Sequence, residues 1–139
     1  MFVKSKYVLF VFALMVALFS CKKEEQNSNS IDSLFELSVL SPNSNQIFRQ
    51  QDTLIMRGIG RGPIEAHGYT VLLVNKQRSD TLFKRYKHTH GTELMIIEHV
   101  VLDSVFIPGN YSAHFILHID HAGNQIHENR PLRIVNETL

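Results

Sequence analysis

The side chains most able to do chemistry in this sequence are one thiol, Cys21, and eight imidazoles: His67, His88, His90, His99, His114, His118, His121 and His127. Imidazole is the commonest protein ligand for transition metals, and two rings on one strand face can share an ion. His88-Thr89-His90 puts both rings on one side of an extended backbone, and His114 and His118 also share a face. A zinc or copper site needs three or four converging ligands. The metal reading is therefore that His88, His90, His114 and His118 come together in space. The plainer reading is histidines scattered over a surface. No Cys-x-x-Cys or His-Glu-x-x-His spacing decides between them.

Other chemistry finds little footing. The chain has no Gly-x-Ser-x-Gly elbow, phosphate loop or dinucleotide fingerprint. Ser104 beside Asp103 is not a triad signal, because a triad is a spatial arrangement. Gly58-Ile59-Gly60-Arg61-Gly62 is glycine-rich, but Pro63 follows and no helical pattern does, which argues against a phosphate cradle; a loop between strands explains the glycines. The expectation is a protein that is not an enzyme.

The thiol has a more specific setting. Lys4 and Lys6 precede an uncharged apolar run from Tyr7 to Phe19, the layout of a secretory signal. Those 13 residues fall short of the ~20 that a spanning helix needs. The run closes on Leu18-Phe19-Ser20-Cys21, which resembles the lipobox of bacterial lipoproteins. The resemblance implies that Cys21 is acylated and becomes the first residue of the mature chain. Two acyl chains make membrane attachment stable where one does not. Lys23-Glu24-Glu25 resembles the signal that sends Bacteroidota lipoproteins to the cell surface, and equally suits a solvated tether on the periplasmic face. The expected place is the outer membrane, with the lipid anchor as the contact to the bilayer.

Removing residues 1–20 leaves 119 of the 139 residues, enough for one domain. Lys4 and Lys6 leave with the signal, so 14 basic residues become 12 against 13 acidic ones, a formal charge of −1. That balance argues against a nucleic-acid partner, which would want a basic face. With its single cysteine acylated, the mature chain has no disulfide and must be held by packing. Gln26-Asn27-Ser28-Asn29-Ser30 reads as a flexible linker. The expected organisation is a signal helix over 1–20, the lipidated cysteine and linker over 21–33, and one domain over 34–136.

Within that domain, period-two alternation recurs and no helical period lasts ten residues. Strands are expected at Phe35–Val39, Thr53–Ile59, Tyr69–Asn75, Asp80–Tyr86, Leu94–Leu102, Tyr111–Ile119 and Leu132–Val135. Tyr69–Asn75 is almost wholly apolar, as in a central strand, and the charged Asp80–Tyr86 suits an edge. Tyr111, Ala113, Phe115, Leu117 and Ile119 form the clearest buried stripe, opposite Ser112, His114, Ile116, His118 and Asp120.

Seven short strands with turns between them suggest a two-sheet antiparallel sandwich. Ser41-Pro42, Ile47-Phe48, Asp52-Thr53-Leu54, Pro108-Gly109-Asn110-Tyr111 and Asp120-His121-Ala122-Gly123-Asn124, in that order, resemble an immunoglobulin-like domain of Bacteroidota lipoproteins. That resemblance implies an all-β fold and leaves the ligand open. Tyr111 is either a tyrosine corner or a plain core tyrosine. The expected role is a non-enzymatic binding or accessory module for a protein or glycan partner, without nucleic acid. Its candidate surfaces are Gly60–Gly68, Lys87–Thr92 and Asp120–Asn124. The alternative is capture of zinc or copper by histidine at the outer envelope.

Overall fold

The structure, a computed structural model, describes residues 31–136; the expected signal helix, Cys21 and the linker up to Ser30 lie outside the described residues. A single 3₁₀ turn, Ile31–Leu34, leads into six strands: β1 (Glu36–Ser41), β2 (Gln46–Arg49), β3 (Thr53–Asn75), β4 (Asp80–Val101), β5 (Gly109–His118) and β6 (Gln125–Val135). Among the described residues no helix is long and apolar enough to cross a membrane.

Two strands are far longer than alternation suggested. β3 has 23 residues and β4 has 22, and each takes in two of the expected strands. The glycine-rich stretch after Arg57, expected as a loop, is continuous strand, as is Lys87–Thr92. The reason is mutual support: β3 and β4 pair from Thr53↔Val101 to Asn75↔Asp80, so the hydrogen-bond ladder carries the backbone through the glycines. Sequence alternation breaks where the side chains change layers, and a broken alternation reads as a turn.

The register shifts between Arg61 and Ala66, and again between Ala66 and Gly68. Such bulges bend a strand and raise its twist, letting one strand serve two sheets. Before the bend, β3 lies between β1 and the second half of β4; after it, β3 lies between the first half of β4 and β5. β6 pairs with β5, and β2 adds to the far side of β6. The hydrogen bonds thus run through one connected sheet that folds over itself into a two-layer sandwich.

The layers meet on their apolar faces. Gly58 and Gly60 of the first layer lie against Phe115 and Leu117 of the second; a Cβ on Gly60 would sit 2.6 Å from Leu117 Cδ1. Between the layers, Leu54, Met56, Val71, Leu73, Ile96, Phe115, Leu117 and Ile134 are fully buried. The expected stripe on β5 is there, with Tyr111, Ala113, Phe115 and Leu117 all buried. Tyr69 reaches across the layers to donate a 3.0 Å hydrogen bond to Glu98, and Arg85 lies 3.7 Å from the same carboxylate.

Two expectations change in detail. Six strands replace the seven expected, because β3 and β4 each span two of the expected strands and β2 adds one more. The pairing is also not wholly antiparallel: β2 runs parallel to β6, Ile47 facing Arg133 and Phe48 facing Ile134. The question left open at Tyr111 is answered by its hydroxyl, which donates to the Ile107 carbonyl at 2.8 Å while the ring is buried. That is the bond of a tyrosine corner.

A four-histidine cluster at one end of the sandwich

The bend in β3 and β4 delivers side chains to one end of the molecule. His67 lies on β3 in the bulged stretch, one residue before Gly68, whose φ is +130°. His88 and His90 lie on β4 where it changes layers. His121 comes from the β5–β6 turn. There the Asp120 carboxylate accepts hydrogen bonds from Ala122 N, Asn124 N and Asn124 Nδ2, at 2.9, 3.1 and 2.6 Å. Ile119 N donating to Asn124 O at 2.9 Å closes that turn. Such a turn fixes the backbone that carries His121.

The four rings touch. His67 Nδ1 lies 3.0 Å from His121 Nε2, and His88 Nε2 lies 3.1 Å from His90 Nε2. An edge contact joins the pairs, with the His67 and His90 ring centroids 4.6 Å apart; within the first pair the His67 and His121 centroids are 4.3 Å apart. His88 stacks toward His121 at 6.4 Å. The other nitrogen of His88, Nδ1, lies 3.2 Å from the Tyr86 hydroxyl. His67 is half-buried, while His88, His90 and His121 are exposed.

Burial and neighbouring rings disfavour protonation of the inner ring. Partial burial, followed by the rings of His121, His90 and His88, pushes the His67 imidazole below its ordinary value, with Asp120 opposing. Loss of water and nearby like charge both disfavour the protonated form. As the rings stand, the donor nitrogens meet in two pairs. Among the described residues, no group of three or more His, Cys, Asp or Glu side chains is placed to hold a metal ion.

Of the four histidines expected to share an ion, the structure joins His88 and His90 and places His114 and His118 elsewhere. His118 Nε2 lies 2.7 Å from Thr70 Oγ1, and its ring packs on Tyr86 at 5.5 Å. His114 is half-buried on the outer face of β5. Burial first, then His127, holds both rings below the ordinary imidazole value; Lys76 adds to this at His114. The partners found instead, His67 and His121, were passed over as ligands. Yet His67 falls within Gly60–Gly68, His88 and His90 within Lys87–Thr92, and His121 within Asp120–Asn124. All three segments expected as separate surfaces meet at one end.

No family model matches the chain, and no curated protein is similar to it. Solved structures are. Fibronectin(III)-like modules of Clostridium thermocellum CbhA match at a TM-score of 0.50 and 10% identity, over 75% of this chain and 99% of theirs. The fold is an immunoglobulin-like β-sandwich. A family 123 glycoside hydrolase from Clostridium perfringens that acts on glycolipid glycans matches at 0.48 and 11% identity, over 75% of this chain but only 28% of the enzyme. The CARDB domain of a Pyrococcus furiosus protein, solved with two metal ions, matches at 0.46 and 8% identity, over 74% and 94%. At 10% identity the likeness to the fibronectin(III)-like modules shows the fold alone, and sandwiches host many unrelated activities.

Proposed function

We propose that this protein is a lipid-anchored, non-enzymatic binding or accessory module of the bacterial cell envelope, held at the membrane through Cys21. The observation that supports the reading best is architectural. The described domain is a self-contained sandwich that matches a fibronectin(III)-like module over almost the module's whole length. A module of this kind works by presenting a surface, and its position in the envelope comes from whatever holds it there. Cys21 is the only cysteine and follows an apolar run with a basic start, which is where an acyl anchor needs it.

Two acyl chains give stable attachment with no protein–lipid contact. The stretch from Cys21 to Leu34 can extend to about 45 Å at ~3.5 Å per residue, so the sandwich stands clear of the bilayer on its tether. The end that bears His67, His88, His90 and His121 is the working surface in this reading, because three separate segments converge on it.

The test is anchorage. Cys21→Ala moves the chain from the membrane fraction to the soluble fraction, and mass spectrometry of the native protein finds acyl mass on the first residue. A Cys21→Ala chain that stays membrane-bound refutes the reading. Protease added to intact cells then separates surface display, where the domain is cut, from the periplasmic face, where it is shielded.

A further inference from the structure

We infer that His67, His88, His90 and His121 form a four-imidazole site for a divalent cation late in the first transition row, zinc or copper. This goes beyond the accessory role and is independent of the tether.

Three observations carry it. The first is convergence across the fold. His67 and His121 are 54 residues apart, yet their nitrogens meet at 3.0 Å, and the His88–His90 pair touches His67 from a third segment. Neighbouring positions on one strand explain only the contact between His88 and His90. Bringing in the others takes the bulge in β3 and the closed turn around Asp120.

The second is which nitrogens meet within each pair. The meeting nitrogens are His67 Nδ1 and the Nε2 atoms of His88, His90 and His121. Nitrogens bound tetrahedrally at ~2.0–2.1 Å to one zinc ion lie about 3.3 Å from each other. The two pairs, at 3.0 and 3.1 Å, are within a few tenths of an ångström of that spacing.

The third is the outer shell. The Tyr86 hydroxyl sits on His88 Nδ1, the nitrogen that does not meet His90. A ligating histidine is oriented in this manner, one nitrogen on the metal and the other held by a hydrogen bond. Asp120, whose carboxylate is occupied by its own turn, contributes negative charge nearby.

The donors now stand as two pairs, so binding requires the rings to close on a common point. His88, His90 and His121 are exposed, and exposed side chains exchange readily between staggered rotamers. The same exposure gives an ion its way in. Neutral imidazole suits zinc and copper, whereas calcium and magnesium require oxygen donors, which this cluster does not offer.

The test uses the full chain purified in detergent without a polyhistidine tag, stripped with a chelator and titrated with Zn²⁺ and, separately, Cu²⁺ by calorimetry. The expected result is one equivalent bound with Kd below about 1 μM for at least one of the two ions, and none of Mg²⁺ or Ca²⁺. His67→Ala and His121→Ala each weaken binding at least about ten-fold, and the double variant His88→Ala/His90→Ala abolishes it, while His114→Ala and His127→Ala leave it unchanged. Circular dichroism of each variant reports folding. Imidazole NMR signals of the unmutated chain give a readout that no folding failure can confound: Zn²⁺ shifts those of His67, His88, His90 and His121. Binding no tighter than about 1 μM for both ions overturns the assignment. So does binding that survives both His67→Ala and His121→Ala in folded protein, or Zn²⁺-induced shifts confined to other histidines.

Discussion

Gly68→Ala probes the joint on which both the fold and the histidine end depend. Gly68 pairs with His88 on one side and with His118 on the other, and its φ is +130°, a backbone conformation that L side chains rarely adopt. A Cβ there would run into the Lys87 carbonyl oxygen and lie 3.2 Å from His88 Cα, so it meets the backbone of β4 and no side chain that could turn away. Forcing alanine into such a region costs about 1–3 kcal/mol, and overpacking against a fixed neighbour adds about 1–3 kcal/mol. Together that is about 2–6 kcal/mol, set against the ~5–15 kcal/mol that holds a domain of this size together. Each kcal/mol is worth about 4–8 °C in Tm here, so Gly68→Ala lowers the midpoint by at least about 8 °C. Gly123→Ala is the control: φ there is +97°, but an added Cβ meets nothing within 4 Å. It carries the conformational penalty alone. Thermal unfolding followed by circular dichroism, with urea midpoints as a check, ranks the two. If Gly68→Ala is no worse than Gly123→Ala, or costs under about 1 kcal/mol, the close approach of β4 does not constrain this joint and the reasoning fails.

Tyr111→Phe removes the hydroxyl that donates to the Ile107 carbonyl at 2.8 Å and leaves the buried ring in place; it costs about 1–3 kcal/mol, and an unchanged unfolding midpoint would show that the corner bond is worth nothing. Acidification destabilises the domain through His114 and His118, whose folded values lie below the ordinary 6.5. The unfolded chain takes up these protons first, so the penalty is absent well above pH ~6.5 and grows as pH falls below it. Urea midpoints between about pH 7.5 and 5.5 measure the slope, which flattens in His114→Asn/His118→Asn; an equally steep slope in that variant assigns the effect elsewhere. Tyr69 moves oppositely: burial first, then its bond to Glu98, raises its hydroxyl from 10.0 to about 12. The folded state holds that proton more tightly, so its contribution is complete below pH 10 and lost towards 12; an alkaline stability profile that Tyr69→Phe leaves unchanged contradicts this.

The elements legible in the sequence are those whose two faces differ in polarity along their whole length. β5 is the clearest case, because Tyr111, Ala113, Phe115 and Leu117 meet the core while His114, Ile116 and His118 lie half-buried on the opposite face. β2 is four residues long, with only Phe48 buried, and four residues hold too little alternation to stand out. The halves of β3 and β4 were legible one at a time. Their continuity was not, because a strand that passes from one layer to the other reverses its inward face at the bulge, and no local period survives that reversal.

The histidine end was hidden for the same reason. Sequence spacing reports which residues share a face of one strand, and on that criterion His114 and His118 pair as well as His88 and His90 do. Contact between strands is set by register, and register here depends on two shifts in β3 on either side of Ala66. Those shifts put His67 beside the crossing of β4, and the Asp120 turn puts His121 against it, whereas β5 carries His114 and His118 out along the sheet face. A sequence signal for the convergence does exist, and it lies in the backbone-shaping residues: Gly62 and Gly68 flank His67, and Asp120 with Gly123 and Asn124 brackets His121. Residues that bend a chain next to histidines mark a place where the fold departs from regularity and so redirects a side chain.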